Sequence, residues 1–224
     1  MSRRLRIILL IGCGVPVVLI AVLVGVFLAL RYEPKFYRDA LAVGADVQEK
    51  GSDEMLQRVA ALVSSVKKTG KWQSHFTAEQ INGWLAVDFE KNHHGTLPPF
   101  LRDPRVAIEP DRIVLACRYD WRFVSTVLTL TVELYMPEEN VLALRIVKAR
   151  AGLLPMPLGK VLDAISDAAW RSEWRIEWRQ TGGDPVALLR VPPPDNAGDL
   201  AVKLETIRLG KEGIVVSGST ERKK

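Results

Sequence analysis

The stretch that decides the fold is residues 123–151, which read FVSTVLTLTVELYMPEENVLALRIVKARA. Apolar and polar side chains alternate along its first half, as they do on the two faces of a β-strand. One face carries Leu128, Leu130, Val132, Leu134 and Met136, and the other carries Thr129, Thr131, Glu133 and Tyr135. Residues 137–140 (PEEN) predict a turn, after which residues 141–151 return as a second strand. Two adjacent long strands with one polar face predict an antiparallel sheet that is solvated on one side.

Further segments with a two-residue period lie on both sides of this hairpin. Residues 106–108 and 113–119 predict a hairpin before it, and residues 186–191, 201–209 and 213–219 predict strands after it. Trp174, Ile176 and Trp178 would share one face of another strand, which follows a helix predicted from Leu158 to about Ser172. The expected fold class is α+β: an N-terminal transmembrane helix, then a curved antiparallel β-sheet of about seven or eight strands packed against helices.

Helical signals precede the strands. Pro34 marks the start of one helix, Gly51 is expected to break it, and Ser52 is expected to cap the next. The second helix carries an apolar stripe, which would pack on its own domain or dock to a partner helix or the membrane surface: Met55, Leu56, Val59, Leu62, Val63 and Val66. Thr77 and Gln80 predict a capping box, and Gly83 indicates a closely packed neighbour in the helix that follows.

The apolar run of residues 7–30 predicts a membrane anchor. Its 24 residues include no charged side chain. A helix of that length spans about 36 Å, which exceeds the roughly 30 Å hydrocarbon core of a bilayer. Ile7 and Leu30 would mark its two ends. Basic residues on both sides leave the charge rule for orientation undecided, and the short N-terminal tail favours a cytoplasmic N-terminus. A cleaved signal peptide, a lipobox at residues 10–13 and a reversed anchor are the alternatives.

This anchor divides the chain into five parts. They are a cytoplasmic tail (1–6), the transmembrane helix (7–30), juxtamembrane helices (31–70), an extracytoplasmic α+β domain (71–220) and a basic tail (221–224). The expected location is the cell (inner) membrane, as a single-pass protein. Three of the 31 Lys and Arg residues precede the run, so 28 remain against 26 Asp and Glu. The part of the chain after the apolar run is therefore nearly neutral, which argues against nucleic acid as a partner. Cys117 is the one cysteine of the sequence outside the apolar run, so no disulfide framework is expected.

No pattern of side chains predicts catalysis, a metal site or a cofactor. His93 and His94 are adjacent in a polar loop, and no spacing of Cys, Asp or Glu completes a metal site with them. The sequence has no phosphate-binding glycine loop and no nucleophile elbow. The function expected is therefore a non-catalytic role. An envelope hydrolase that uses carboxylates near residues 88–94 and a structural subunit of a membrane assembly are the alternatives.

An antiparallel sheet with helices on one side can enclose an apolar groove. The expected partners are therefore membrane lipid and either a lipid-like ligand or a membrane protein. The residues expected to bind such a ligand lie in a helix, a loop and the junction after the second long strand: Trp84, Leu97, Phe100, Leu153, Leu154, Met156 and Leu158. The same residues could instead simply fill the core.

Two short stretches carry a resemblance to a known group. They are the helix opening FTAEQIN (residues 76–82) and the junction GLLPMPL (residues 152–158). In these stretches and in layout the chain resembles uncharacterised single-pass bacterial envelope proteins of the YpmS type. It is more remotely similar to tubular lipid-binding domains, which hold acyl chains between a curled sheet and a long helix. The resemblance implies an apolar ligand and carries over no catalytic residue.

Overall fold

The computed structural model describes residues 3–93, 96–122, 124–171, 176–191, 200–211 and 213–223. The helices of these residues are α1 (Arg3–Leu30), α2 (Lys35–Leu41), α3 (Ala45–Val66), α4 (Ala78–Ala86), α5 (Asp88–Asn92) and α6 (Leu158–Arg171). The strands are β1 (Gly70–Phe76), β2 (Leu101–Ile108), β3 (Ile113–Trp121), β4 (Val124–Glu138), β5 (Val141–Ala151), β6 (Leu154–Pro155), β7 (Ile176–Thr181), β8 (Asp184–Arg190), β9 (Leu200–Gly210) and β10 (Gly213–Arg222).

The larger sheet has seven antiparallel strands in the order β2-β3-β4-β5-β8-β7, with the short β6 beside β5. The predicted long hairpin, β4–β5, lies at its centre, and Arg145 of β5 pairs with Glu133 of β4 at 3.0 Å. The prediction of a mixed α+β fold with a large antiparallel sheet packed against helices is confirmed.

The remaining long strands form a second sheet, of three strands in the order β1-β10-β9. The sequence predicts a single sheet and does not predict β1. Thr220 of β10 ties this sheet to α3, because its hydroxyl donates to the carbonyl oxygen of Val66 (2.9 Å) and accepts from Trp72 Nε1 (3.2 Å). β10 also runs to Arg222, so two residues of the expected basic tail pair with β9.

The predicted helix break at Gly51 is wrong, because α3 runs without interruption through Gly51 and Ser52. Both residues are buried where α3 crosses α4. A Cβ atom at Gly83 would lie 2.6 Å from the carbonyl oxygen of Gln48 and 2.7 Å from the backbone nitrogen of Ser52. The glycines thus permit a close helix crossing, and the neighbour expected at Gly83 is confirmed. The capping box of Thr77 and Gln80 is also confirmed.

Helix α1 is joined to the large sheet at its last turn. Leu153 N donates to the carbonyl oxygen of Ala29 (2.9 Å), and the Thr126 hydroxyl donates to that of Leu30 (2.5 Å). Gly152 has φ +57°, and a Cβ there would clash with both carbonyl oxygens. A glycine is therefore required at this junction.

Among the described side chains, no single helix is both long enough and apolar enough to cross a membrane. Val17–Leu30 and Lys35–Leu41 meet these criteria as a pair, with a bend of 48° between them. The transmembrane helix therefore stays a prediction.

Candidate functional site

An apolar groove of about 580 Å³ lies between one face of the large sheet and helix α6. Its volume is within the range of small-molecule binding sites. The lining residues come from five strands, from α6 and from the position directly after β8. Their side chains are aliphatic or aromatic: Ile113, Leu115, Leu130, Val132, Leu142, Leu144, Ile146, Ile165, Ala169, Ile176, Trp178, Ala187, Leu189 and Val191. Such a lining suits a hydrocarbon chain and offers no charge to hold a polar headgroup inside the groove.

Strand alternation decides which face of the sheet forms the groove. Leu115 of β3 and Leu130 of β4 point into it. The even-numbered neighbours of Leu115 on β3 and the odd-numbered neighbours of Leu130 on β4 therefore point to the opposite face. On that opposite face, Tyr37 of α2 packs with Ala116 and Val127. Helix α2 therefore packs on one face and α6 on the other, and α6 is the one described helix that lines the groove.

The apolar side of helix α6 faces the groove. Ile165 and Ala169 point into the groove, whereas Asp163 and Asp167 are exposed on the outer side. Trp178 of β7 lines the groove and donates from Nε1 to the Ser166 hydroxyl at 2.9 Å. This bond satisfies the indole N–H next to an apolar wall and positions α6 against the sheet.

The strand predicted around Trp178 is confirmed, and Ile176 and Trp178 share the face that lines the groove. Trp174 and Ser172, which were expected in this strand and at the end of the preceding helix, lie outside the described residues.

Three of the residues predicted to bind a ligand lie near α4, α5 and β2. Trp84 donates from Nε1 to the carboxylate of Asp88 (2.9 Å) and contacts the ring of Phe89, with ring centroids 5.4 Å apart. Phe100 packs edge-on against Tyr119, and Leu97 is half-buried in the loop before it. The structure places all three apart from the groove lining.

The other four predicted residues lie together in the junction between β5 and α6. Leu153 is exposed beside the end of α1, and Leu154 pairs with Ala151. Met156 N donates to the carbonyl oxygen of Ala149, and Leu158 begins α6. None of the four lines the groove, and their role in binding stays a prediction.

Sequence reasoning missed most of the groove residues, although a usable signal was present. Leu130 and Val132 were assigned to the apolar face of the central strand, which is the face that lines the groove. The period-two pattern identifies such a face. It does not show whether a helix packs tightly on that face or leaves space.

The region expected for the hydrolase alternative holds an aromatic and amide cluster. The Asp88 carboxylate accepts from Trp84 and from Asn92 Nδ2 (2.7 Å), and its distance to His93 Nε2 is 3.9 Å. His94 lies outside the described residues. The hydrogen bond from Trp84 joins Asp88 of α5 to α4, and the one from Asn92 lies within α5. The hydrolase alternative stays a prediction.

Cys117 is half-buried in β3. Burial raises the pKa of its thiol to about 11, so the thiol stays protonated near neutral pH. Within the described ranges, no group of three or more His, Cys, Asp or Glu residues is placed to hold a metal ion.

Comparison of the chain with protein-family models, with curated proteins and with solved structures found no match.

Proposed function

We propose that the protein is a membrane-anchored, extracytoplasmic binding protein that holds the hydrocarbon chain of a lipid-like ligand in the groove under α6. The observation that carries this proposal is the unbroken apolar lining of the groove. Burial of a hydrocarbon chain lowers the free energy by roughly 25 cal/mol for each Å² of apolar surface removed from water. The headgroup of the ligand would stay outside, where polar contacts and water are available.

The size of the groove supports a chain-like ligand. Its lining extends from Leu142 to Ile146 along β5, or about 14 Å, and crosses five strands at about 4.8 Å each. The diagonal of this area is on the order of 20 Å. One leaflet of a bilayer has a hydrocarbon depth of about 15 Å, so the groove is as long as the depth that a lipid acyl chain spans in a membrane.

The exposure of α1 supports a membrane anchor. Large apolar side chains from Val17 to Leu28 are exposed, and Val18 and Leu28 each expose more than 60% of their surface. Contiguous apolar surface of this kind is unfavourable in water and favourable in lipid.

Native mass spectrometry of the full-length protein, extracted gently in detergent, tests ligand binding. We expect the wild type to carry bound lipid and Ala169→Trp, which fills the groove, to lose at least nine-tenths of it. Ala164→Trp is the matched control, because Ala164 is on the exposed side of the same helix. Wild type without bound lipid, or equal occupancy in the two variants, would contradict the proposal.

A second candidate function is assembly with a membrane protein, and the outer surface of α3 favours it. Leu56, Val59 and Val63 of the predicted stripe are exposed, although α3 packs against α4 on its adjacent face. The double variant Leu56→Lys, Val63→Lys should release a partner subunit, seen as lost mass in the same spectra. Gln57→Lys, on the polar side of α3, should retain it.

A further inference from the structure

The end of α1 is fixed to the large sheet without a flexible linker. The carbonyl oxygens of Ala29 and Leu30 accept hydrogen bonds from Leu153 N and the Thr126 hydroxyl. These bonds satisfy two of the carbonyl groups that a helix C-terminus leaves unpaired. Three residues further, Glu33 pairs with Arg118 of β3 at 2.9 Å. The orientation of α1 therefore determines the orientation of the sheet.

The surface around this joint has the composition of a membrane interface. We define the junction surface as Leu28, Tyr32 and Leu153, which are 64%, 44% and 47% exposed. Arg31 lies between the first two, and its guanidinium stacks over the ring of Phe27, 4.5 Å from the ring centroid. Tyrosine and arginine place apolar bodies in lipid and polar ends in the headgroup layer.

The groove and the joint share one face of β4. Thr126, Leu128, Leu130 and Val132 are alternate residues of this strand, so their side chains point the same way. Thr126 binds the end of α1, whereas Leu130 and Val132 line the groove. The near end of the groove is thus about 14 Å from the end of α1, measured along the strand.

We infer that the junction surface lies in the headgroup layer of the bilayer that holds α1, so that the near end of the groove faces that bilayer. The occupant of this surface is the lipid surface itself. The inference rests on the proposed function, because it requires α1 to be embedded. Its support is the continuity of the junction surface with the exposed apolar side of α1.

The test measures membrane depth at three positions of the full-length chain. Single cysteines replace Leu153, Val22 or Tyr135 in a background with Cys13→Ser and Cys117→Ser, and each carries a bimane fluorophore. Tyr135 is exposed on β4, about 30 Å along the strand from Thr126. The protein is reconstituted in phosphatidylcholine–phosphatidylglycerol vesicles that contain lipids with a nitroxide on the headgroup or near the chain end.

We expect at least threefold stronger quenching at residue 153 than at residue 135 by the headgroup nitroxide, and quenching at residue 22 by the chain-end nitroxide. Quenching at residue 22 with equal values at residues 153 and 135 would overturn the inference and leave the anchor intact. Absence of quenching at residue 22 would overturn both the anchor and the inference. Tyr32→Cys, on the other side of the joint, replaces Leu153→Cys should the latter fail to fold.

Discussion

At the scale of single residues, Tyr37 reports on the packing of α2 against the sheet. Its side chain is fully buried beside Ala116 and Val127, and its hydroxyl donates to the carbonyl oxygen of Asp103 at 3.0 Å. Burial, with a smaller effect of the Asp103 carboxylate, raises the pKa of Tyr37 from 10.0 to about 12. The folded protein therefore holds this proton more tightly than the unfolded chain does.

This difference predicts a loss of stability at alkaline pH. The contribution of Tyr37 is complete below pH 10 and falls as pH rises from 10 to 12, by about 1.4 kcal/mol per pH unit, because the unfolded chain releases the proton first. Tyr37→Phe cannot ionise. The free energy of unfolding of the wild type and of Tyr37→Phe is measured by urea denaturation at pH 9 and at pH 11.5. The stability advantage of the wild type over Tyr37→Phe should be smaller at pH 11.5 than at pH 9. A constant difference would show that Tyr37 titrates normally.

At the scale of elements, the crossing of α3 and α4 depends on the missing side chain of Gly83. A Cβ at this position would lie within 3.0 Å of three backbone atoms of α3. Backbone atoms of a packed helix move only if the whole helix shifts. Glycine lowers the intrinsic helix propensity of α4 at this position, and in return the backbones of α3 and α4 can approach each other closely.

Gly83→Ala should lower the free energy of unfolding by on the order of 1–3 kcal/mol, although alanine is the better helix former. The matched control is Gly159→Ala in α6, where an added Cβ meets nothing within 4 Å. That substitution should leave stability unchanged or raise it by up to about 1 kcal/mol. Denaturant titration of both variants makes the comparison. Similar effects in the two would contradict the close crossing.

Local patterns predicted elements well where one interaction decided the structure. The alternation at Leu128–Leu134 and the capping box at Thr77 depend on neighbours a few residues away. The strand and the capping box that they predict are both confirmed. Gly51 was misread because its use as a packing surface depends on Gly83, which is 32 positions away in the sequence. β1 was missed since buried Ser74, between Trp72 and Phe76, hides the apolar alternation. The groove depends on how closely α6 approaches the sheet, which no local pattern contains.

At the scale of the whole molecule, Asn140 connects the two sheets. It occupies the β4–β5 turn at φ +61°, and its Oδ1 accepts from Leu204 N of β9 at 2.7 Å. Its backbone oxygen accepts from Val191 N, directly after β8. One residue therefore bonds the large sheet to the small one.

Asn140→Ala should lower the free energy of unfolding by about 1–3 kcal/mol, because Leu204 N loses its acceptor and alanine is strained at positive φ. Asn140→Asp keeps an acceptor oxygen and should restore most of the loss. Hydrogen exchange followed by mass spectrometry should show faster exchange in β9 of the alanine variant. Unchanged exchange there would mean that other contacts join the two sheets.

Because the end of α1 is hydrogen-bonded directly to β4, the sheet rotates with α1 when the tilt of α1 changes. With α1 embedded as proposed, a bilayer that thins or thickens changes the tilt of the helix to match its apolar length. A tilt change of 10° would swing Tyr135 of β4, about 30 Å from Thr126 along the strand, through about 5 Å. The body would thereby convert the thickness of its own membrane into a sideways displacement that a neighbouring molecule could sense.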